Sequence, residues 1–325
     1  MSGAISGGLV ICGSKNIFTV ELDSHASNGS SVKTECRIKG KVLKSDGNFY
    51  NPIAPGDRVT VDTENCLILG LEERRNAFSR FNKNGSQLLA ANIDLALCMT
   101  TPSSPPFRPR FLDRILAQAD ASGVEAVILC NKSDLYEDAN DADGEVIYTD
   151  PDVEERLEDY RRIGYKVLMI SAKTGKGLDE LKALIAGKLS VIAGQSGVGK
   201  SSLLNALAPE YNLKIGSLVE KYDRGSHTTT MSFMITVMCN DGKPARIIDT
   251  PGVRLFTNDG IAPGELILHF REFAPLAGKC SYGLSCTHRT EPGCKIMEAV
   301  NAGIIHEDRY ESFLRVYDEL ENKNG

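Results

Sequence analysis

Residues 194–201 read Gly194-Gln195-Ser196-Gly197-Val198-Gly199-Lys200-Ser201, the form GxxxxGKS. An apolar run, Val191-Ile192-Ala193, precedes them, and a helical pattern opening at Ser202-Leu203-Leu204 follows. Strand, glycine-rich loop and helix in that order make a phosphate cradle, which confines the chain to an α/β nucleotide-binding architecture. Glycine lets the backbone turn tightly and aim its N–H groups at phosphate oxygens. The helix start adds partial positive charge, Lys200 reaches the outer phosphates and the Ser201 hydroxyl is placed to ligate Mg²⁺. A phosphate loop usually opens its domain, yet residues 1–193 come first.

A chain of 325 residues has room for two or three domains. With 42% hydrophobic and 25% charged residues the composition is that of an ordinary water-soluble protein. No apolar run approaches the ~20 residues of a membrane span, and residues 1–10 are too short and glycine-rich for a signal peptide. A cytoplasmic protein without membrane association is expected. The net charge of −6 gives no global argument for nucleic-acid binding, so such a role needs a local patch. Six of the nine cysteines (Cys12, Cys36, Cys66, Cys98, Cys130, Cys239) are scattered singly and read as reduced core residues.

Residues 1–75 read as short strands at 8–22, 32–43, 57–61 and 66–71, with a turn at Asp46-Gly47-Asn48. Strands at this spacing suit a small closed barrel of the oligonucleotide-binding (OB-like) kind. Arg37, Lys39 and Lys41 alternate with apolar or small residues, and Lys33 and Lys44 flank them. A strand there turns one basic strip to one face, either for a nucleic-acid backbone or as a solvated surface. The polar stretch from 71 to 85 reads as a linker, with 76–86 as its span.

Buried strands then alternate with helices: strands at 93–99, 124–130 and 166–170, helices at 110–122, 153–163 and 177–188. That alternation predicts parallel strands with crossover helices in a domain spanning 87–265. The acidic stretch 136–152 is a surface insertion. At the end of the second strand stands Asn131-Lys132-Ser133-Asp134. A carboxylate there can accept from both the N1–H and the 2-amino group of guanine, a donor pair that adenine lacks, so Asp134 selects guanine. Asn131 braces the loop and the Lys132 stem covers the ring. Ser171, Ala172 and Lys173 follow the next strand, where backbone N–H groups reach the guanine carbonyl. The cofactor-contacting set is completed by the cradle residues Gly194 to Ser201 and by Ser202. Downstream, Asp249-Thr250-Pro251-Gly252 follows the strand 245–248. Asp249 is expected to hold Mg²⁺ through water, and the Gly252 amide to sense the γ-phosphate. Between cradle and Asp249 lies Gly225-Ser226-His227-Thr228-Thr229-Thr230, where Thr229 supplies a Mg²⁺ ligand.

Every element of a GTPase is present, but the guanine-reading ones precede the phosphate-binding ones, the order of a circularly permuted GTPase. The chain resembles the RsgA (YjeQ) family of small-ribosomal-subunit-dependent GTPases. The resemblance spans an N-terminal barrel, NKSD, SAK, GQSGVGKSSLLNAL, GSHTTT, DTPGVRLF and the C-terminal cysteine segment with RYESFL. It implies a monomeric factor that hydrolyses GTP to GDP, assembles on the 30S subunit and its 16S rRNA late in maturation, and is stimulated by that subunit. Ras-like enzymes orient the attacking water with a glutamine after the DxxG element; here Val253 stands there and cannot. His227 is similar to the histidine that the family uses instead, so it joins Lys200 and Thr229 as a catalytic candidate. A loop histidine that contacts RNA or faces solvent is the alternative.

Cys280, Cys286, His288 and Cys294 give C-x5-C-x-H-x5-C. Three thiolates and one imidazole fill a tetrahedral Zn²⁺ shell with no open position, so one structural zinc per chain is expected. Helical periods at 266–279 and 295–322 surround it, in a small helical domain spanning 266–325 that needs the metal to hold its fold.

Overall fold

The computed structural model describes residues 5–14, 16–25, 31–38, 49, 52–82, 85–137, 152–213, 232–250 and 256–324. The N-terminal part has five strands: β1 (Ile5–Ser14), β2 (Ile17–His25), β3 (Ser31–Ile38), β4 (Arg58–Asp62) and β5 (Leu67–Leu71). The span expected as one strand over 8–22 folds back between β1 and β2, pairing Ser14 with Ile17. The turn signals Gly13, Ser14 and Asn16 sit at that reversal. β2 pairs antiparallel with β3, β3 runs parallel to β5, β4 pairs with β5, and β4 returns to β1 at Leu9↔Arg58. The five strands therefore form a closed ring around Val10, Phe18, Val20, Cys36, Val59, Val61 and Ile68.

The residues read as a linker form a hairpin of β6 (Ala77–Asn82) and β7 (Gly85–Ala91). Its polar residues hide one buried ring, Phe78, which packs 5.9 Å from Phe256. The hairpin meets the ring of strands at Gly56. Its φ is +94°, and a Cβ on it would lie only 2.0 Å from the Ala91 carbonyl oxygen, so no side chain fits there.

Then come β8 (Leu95–Thr100), α1 (Pro109–Ala121), β9 (Glu125–Cys130), α2 (Asp134–Glu137), α3 (Asp152–Ile163), β10 (Lys166–Met169), α4 (Leu178–Ile185), β11 (Leu189–Gly194), α5 (Lys200–Leu207), β12 (Phe233–Met238) and β13 (Pro244–Asp249). The sheet order is β10-β9-β8-β11-β13-β12, parallel except for β12 against β13. Leu95, Leu97 and Met99 of β8 face the core under α4 and α5, while Ala96 and Cys98 face the core under α1 and α3. Burial on both faces is why these strands read as unbroken apolar runs.

β12 also pairs with β1, at Cys12↔Phe233, so the sheet continues into the N-terminal ring. β1 serves two cores: Val10 points into the ring, and Leu9 and Ile11 join the α1-side core.

In the C-terminal segment, α6 (Lys295–Asn301) and α7 (Glu307–Asn324) replace one expected helical span. Gly303, at φ +68°, stands between them. Residues 266–279, expected to be helical, make short 3-10 turns at Pro263–His269 and Ala274–Leu276. Pro275 removes a donor and Gly278 takes φ +71°, which together stop an α-helix. Arg309 of α7 is buried. It donates to Asp113 of α1 at 2.6 Å and to both Glu272 oxygens at 2.6 and 2.9 Å.

Candidate nucleotide and metal sites

β9, β10, β11 and β13 all end on one side of the sheet, the edge at which ligands bind in such folds. Each strand delivers one candidate element there.

From β11 the cradle turns through Gly197 (φ +88°) and Gly199 (φ +93°) into α5. A Cβ on Gly199 would lie 2.5 Å from the Asn131 amide nitrogen, so glycine is required by a neighbour as well as by the backbone. Lys200 is buried and folds back to donate to the carbonyls of Gly194 (2.9 Å) and Gln195 (3.3 Å). Burial lowers its ammonium below the ordinary lysine range, against the pull of Asp249. Asp249, the last residue of β13, pairs in register with Ile192 of β11. Burial pushes its carboxyl up to about 7, against the pull of the Lys200 charge. Its Oδ1 is buried without a hydrogen-bond partner among the described residues, and so is the Gln195 Oε1. A buried carboxylate oxygen with no donor fits a cation or its water shell. Ser201 and Ser202 lie half-buried in the first turn of α5.

The guanine-reading residues follow β9 and β10. Asn131 donates from Nδ2 to the Val198 carbonyl at 2.8 Å and accepts at Oδ1 from the Ala172 amide at 3.1 Å. One side chain therefore joins the cradle to the Ser171-Ala172-Lys173 turn. Lys132 sits at φ +62°, and its Nζ donates to Ser104 (2.5 Å) and Gly197 (3.1 Å) carbonyls, holding its stem along the site. Ser171 donates to Asp134 Oδ1 at 2.6 Å, leaving Oδ2 toward the Lys173 ammonium 3.9 Å away. Ser171 is itself fixed by its amide on Lys176, and its Oγ accepts from Thr174.

The loop after β8 carries no motif that marks it in the sequence. Its carbonyls hold Lys132 through Ser104 and the Gln195 Nε2 through Pro106 (3.2 Å). Its prolines, Pro102, Pro105 and Pro106, mark a rigid loop but not its neighbour. His227, Thr229, Gly252 and Val253 lie outside the described residues, as do Lys39, Lys41, Lys44, the turn at 46–48 and most of the acidic insertion.

Cys280, Cys286, His288 and Cys294 are all buried, with their ligand atoms within 4.8 Å of one another. The His288 Nδ1 lies 3.6 Å from both the Cys280 and Cys294 sulfurs, which are 4.0 Å apart. A tetrahedral zinc with ordinary bond lengths puts sulfur and nitrogen about 3.6 Å apart and two sulfurs about 3.8 Å apart. The donor set fits such a metal. Burial first, and then the neighbouring Cys280 and Cys294 sulfurs, push the Cys286 thiol up to about 12, so a thiolate there needs a cation beside it. The Lys295 amide donates to the Cys280 sulfur at 3.3 Å. His288, at φ +61°, is held by Tyr310, whose hydroxyl donates to its carbonyl at 2.7 Å. Glu291 ties the loop down, accepting from the Thr287 side chain (2.5 Å) and from the amides of Thr287 (2.7 Å) and Arg289 (2.9 Å). Those bonds, the Thr287 hydroxyl first, pull its carboxyl down to about 2.

Residues 71–258 match the family described as RsgA GTPase. The chain is 36% identical over 320 residues to Small ribosomal subunit biogenesis GTPase RsgA 2 of Bacteroides thetaiotaomicron, covering 97% of each. It is 35% identical over 308 residues to Small ribosomal subunit biogenesis GTPase RsgA of Chlorobaculum parvum, covering 90% of this chain and 93% of that relative. Among solved structures it resembles YjeQ from Thermotoga maritima, with TM-score 0.67 and 30% identity over 98% of this chain and 99% of that one. YloQ, described as a circularly permuted GTPase, superposes with TM-score 0.67 at 26% identity, covering 98% and 96%. With its guanine elements ahead of its phosphate loop and relatives matched over nearly its whole length, the chain belongs to the RsgA GTPase family and hydrolyses GTP.

Proposed function

We propose that this chain is a late maturation factor of the small ribosomal subunit, gripping the 30S particle in its GTP form and leaving after hydrolysis. The carrying observation is Asn131, whose amide links Val198 of the phosphate loop to Ala172 of the guanine turn. That link supports reading two sequence-distant halves as one guanine-nucleotide site. The relatives' names supply the ribosomal context. On this reading Asp134 takes the guanine edge, Lys132 and Lys173 flank the base, and the amides of 194–202 with Lys200 take the phosphates. Ser201, Thr229 and Asp249 hold Mg²⁺, which neutralises phosphate charge. Gly252 senses the γ-phosphate, and His227 orients the attacking water.

The closed ring of 1–75 supports an OB-like barrel, joined by the hairpin to a GTPase domain ending near 265. Lys33 and Arg37 of β3 lie exposed on one face of it with Glu35 between them, a face that with Lys39 and Lys41 would make an RNA-binding strip. Cys280, Cys286, His288 and Cys294 hold zinc, and the domain they staple, 266–325, makes the second contact with 16S rRNA. The protein acts in the cytoplasm as a monomer; among the described residues no helix is long and apolar enough to cross a membrane. The test is GTP turnover with and without purified 30S subunits, for the wild type and for His227→Ala with GTP affinity measured in parallel. Stimulation of the wild type by roughly tenfold or more, lost in the variant at unchanged affinity, is expected. No stimulation of the wild type removes the ribosomal role, and full stimulation of the variant removes His227 from the mechanism.

A further inference from the structure

β8 ends at Thr100, whose carbonyl accepts from the Asn131 amide at 2.9 Å, so the strand itself seats the start of the guanine motif. The residues that follow, Thr101-Pro102-Ser103-Ser104-Pro105-Pro106, offer three consecutive carbonyls to three side chains. The Ser104 carbonyl accepts from the Lys132 ammonium at 2.5 Å, the Pro105 carbonyl from the Thr101 hydroxyl at 2.6 Å and the Pro106 carbonyl from the Gln195 amide at 3.2 Å. Pro105 and Pro106 carry no N–H, so this stretch presents acceptors with no donors of its own beside them. The Pro105 ring also lies against the phosphate loop: a Cβ on Gly197 would sit 3.7 Å from its Cδ, an ordinary contact distance. One short segment therefore touches the guanine motif through Lys132 and the phosphate loop through Gln195 and Gly197. The bond that closes it comes from Thr101, a fully buried side chain.

The geometry points to Thr101 as a positioning residue for guanine-nucleotide binding: its hydroxyl closes the 101–105 turn and so sets the Ser104 carbonyl that holds the Lys132 ammonium. The inference rests on the reading of Lys132 as the side chain that flanks the guanine. Lys132 is costly to hold in place. Its φ of +62° is one that residues with a Cβ rarely adopt, and burial lowers its ammonium below the ordinary lysine range, against the pull of Asp134. Both effects favour release of the side chain to water. Two carbonyls oppose them, Gly197 at 3.1 Å and Ser104 at 2.5 Å; the first is set by the phosphate loop and the second by the Thr101 turn. Threonine suits this work because branching at Cβ restricts its χ1 and so aims the hydroxyl. A lysine already fixed before the nucleotide arrives loses less side-chain freedom on binding. GDP and GTP share the base, so the effect falls on affinity for both and spares the chemical step.

The experiment measures equilibrium GDP binding and subunit-free GTP turnover of the full-length protein. Thr101→Val keeps the shape and removes the donor; the GDP Kd is expected to rise roughly fivefold and the KM for GTP with it, while kcat stays within about twofold. Thr101→Ser, which restores the hydroxyl, is expected to bring Kd back to within about twofold of the wild type. Lys132→Met, which keeps most of the stem and removes the ammonium, is expected to raise Kd roughly tenfold. Thr101→Val added to Lys132→Met should then cost nothing further, because the group it positions is gone. A general loosening of the loop would add in full. Because Thr101 is buried, the exposed Ser104→Gly supplies the same test without risk to the core: about a threefold rise in Kd alone, and none beyond Lys132→Met. Unchanged Kd in Thr101→Val and Ser104→Gly, failure of Thr101→Ser to recover, or additive losses would overturn the inference and leave the guanine reading standing. Unchanged Kd in Lys132→Met would overturn both.

Discussion

Asp249 is a buried carboxyl, and its ionised form with no cation beside it is a liability to the fold. Burial raises its carboxyl from the ordinary 3.8 to about 7, and one of its oxygens has no donor among the described residues. The folded protein therefore holds this proton more tightly than the unfolded chain. The associated stability is fully present below about pH 4 and is lost as pH rises through about 7, a swing on the order of a few kcal/mol. Nucleotide-free Asp249→Asn should accordingly melt higher than the wild type at about pH 8, with the gap closing toward about pH 4.5. With Mg²⁺ and GTP the order should reverse, because the amide cannot replace a carboxylate toward the ion. Thermal melts across that pH range decide it, and a pH-independent difference would show that the carboxyl is not the source. The placement of Asp249, Asp134 and Asn131 at strand ends was legible in the sequence because each ends or closely follows an apolar strand run. The partners that hold Lys132 and Gln195 were not, since Ser104 and Pro106 act through backbone carbonyls, which every residue has.

At the level of elements, periodicity succeeded where both faces of a strand are buried and failed where other forces decide. β8, β9 and β11 stand out as apolar runs. The hairpin β6–β7 does not, because Arg80, Asn82 and Ser86 mask a pairing whose only deeply buried β6 ring is Phe78. The apolar spacing in 266–279 suggests a helix, yet Pro275 and Gly278 prevail and the segment is shaped around the cysteine-histidine cluster. Its apolar residues pack with the cluster and not along a helix: Leu266, Phe270 and Phe273 share one core with Cys280, Cys286 and Cys294. Phe313 of α7 stacks on Phe273 at 5.0 Å and meets the His288 ring at 5.9 Å. The cysteine-histidine cluster and the core are thus one unit, and a zinc ion held there would be worth about 10 kcal/mol or more. Stripping the protein with a strong chelator should raise amide exchange throughout 280–320 while GDP affinity stays within about threefold. Protein that is fully folded in 266–324 with no bound zinc on metal analysis would refute the assignment.

For the whole molecule, β12 and β13, the strands that follow the threonine cluster and end at Asp249, are tied to the N-terminal strands β1 and β2. The N-terminal strands were legible as a small β unit, but their dependence on the GTPase core was not. The reason is that an alternating strand shows two faces without saying what covers the second. β1 places Val10 in its own ring and Leu9 and Ile11 in the core shared with Phe78, Ile93, Leu112 and Ile115. It also covers one end of β12, and Arg246 of the sheet pairs with Glu21 across the same boundary. Removing residues 1–75 would therefore strip apolar cover from the GTPase core and bare a strand edge, the two features that most invite aggregation. The truncated chain should express largely insoluble, and any soluble fraction should melt well below the full protein, by several degrees even with GDP and Mg²⁺ present. Ile11→Asp in the full chain should reproduce part of that loss, since it puts a charge into the same core, whereas Val32→Asp on the half-buried face of β3 should cost less. A soluble truncation that melts with the full-length protein would mean that the shared strand is a contact of convenience, and that the two parts fold as separate domains.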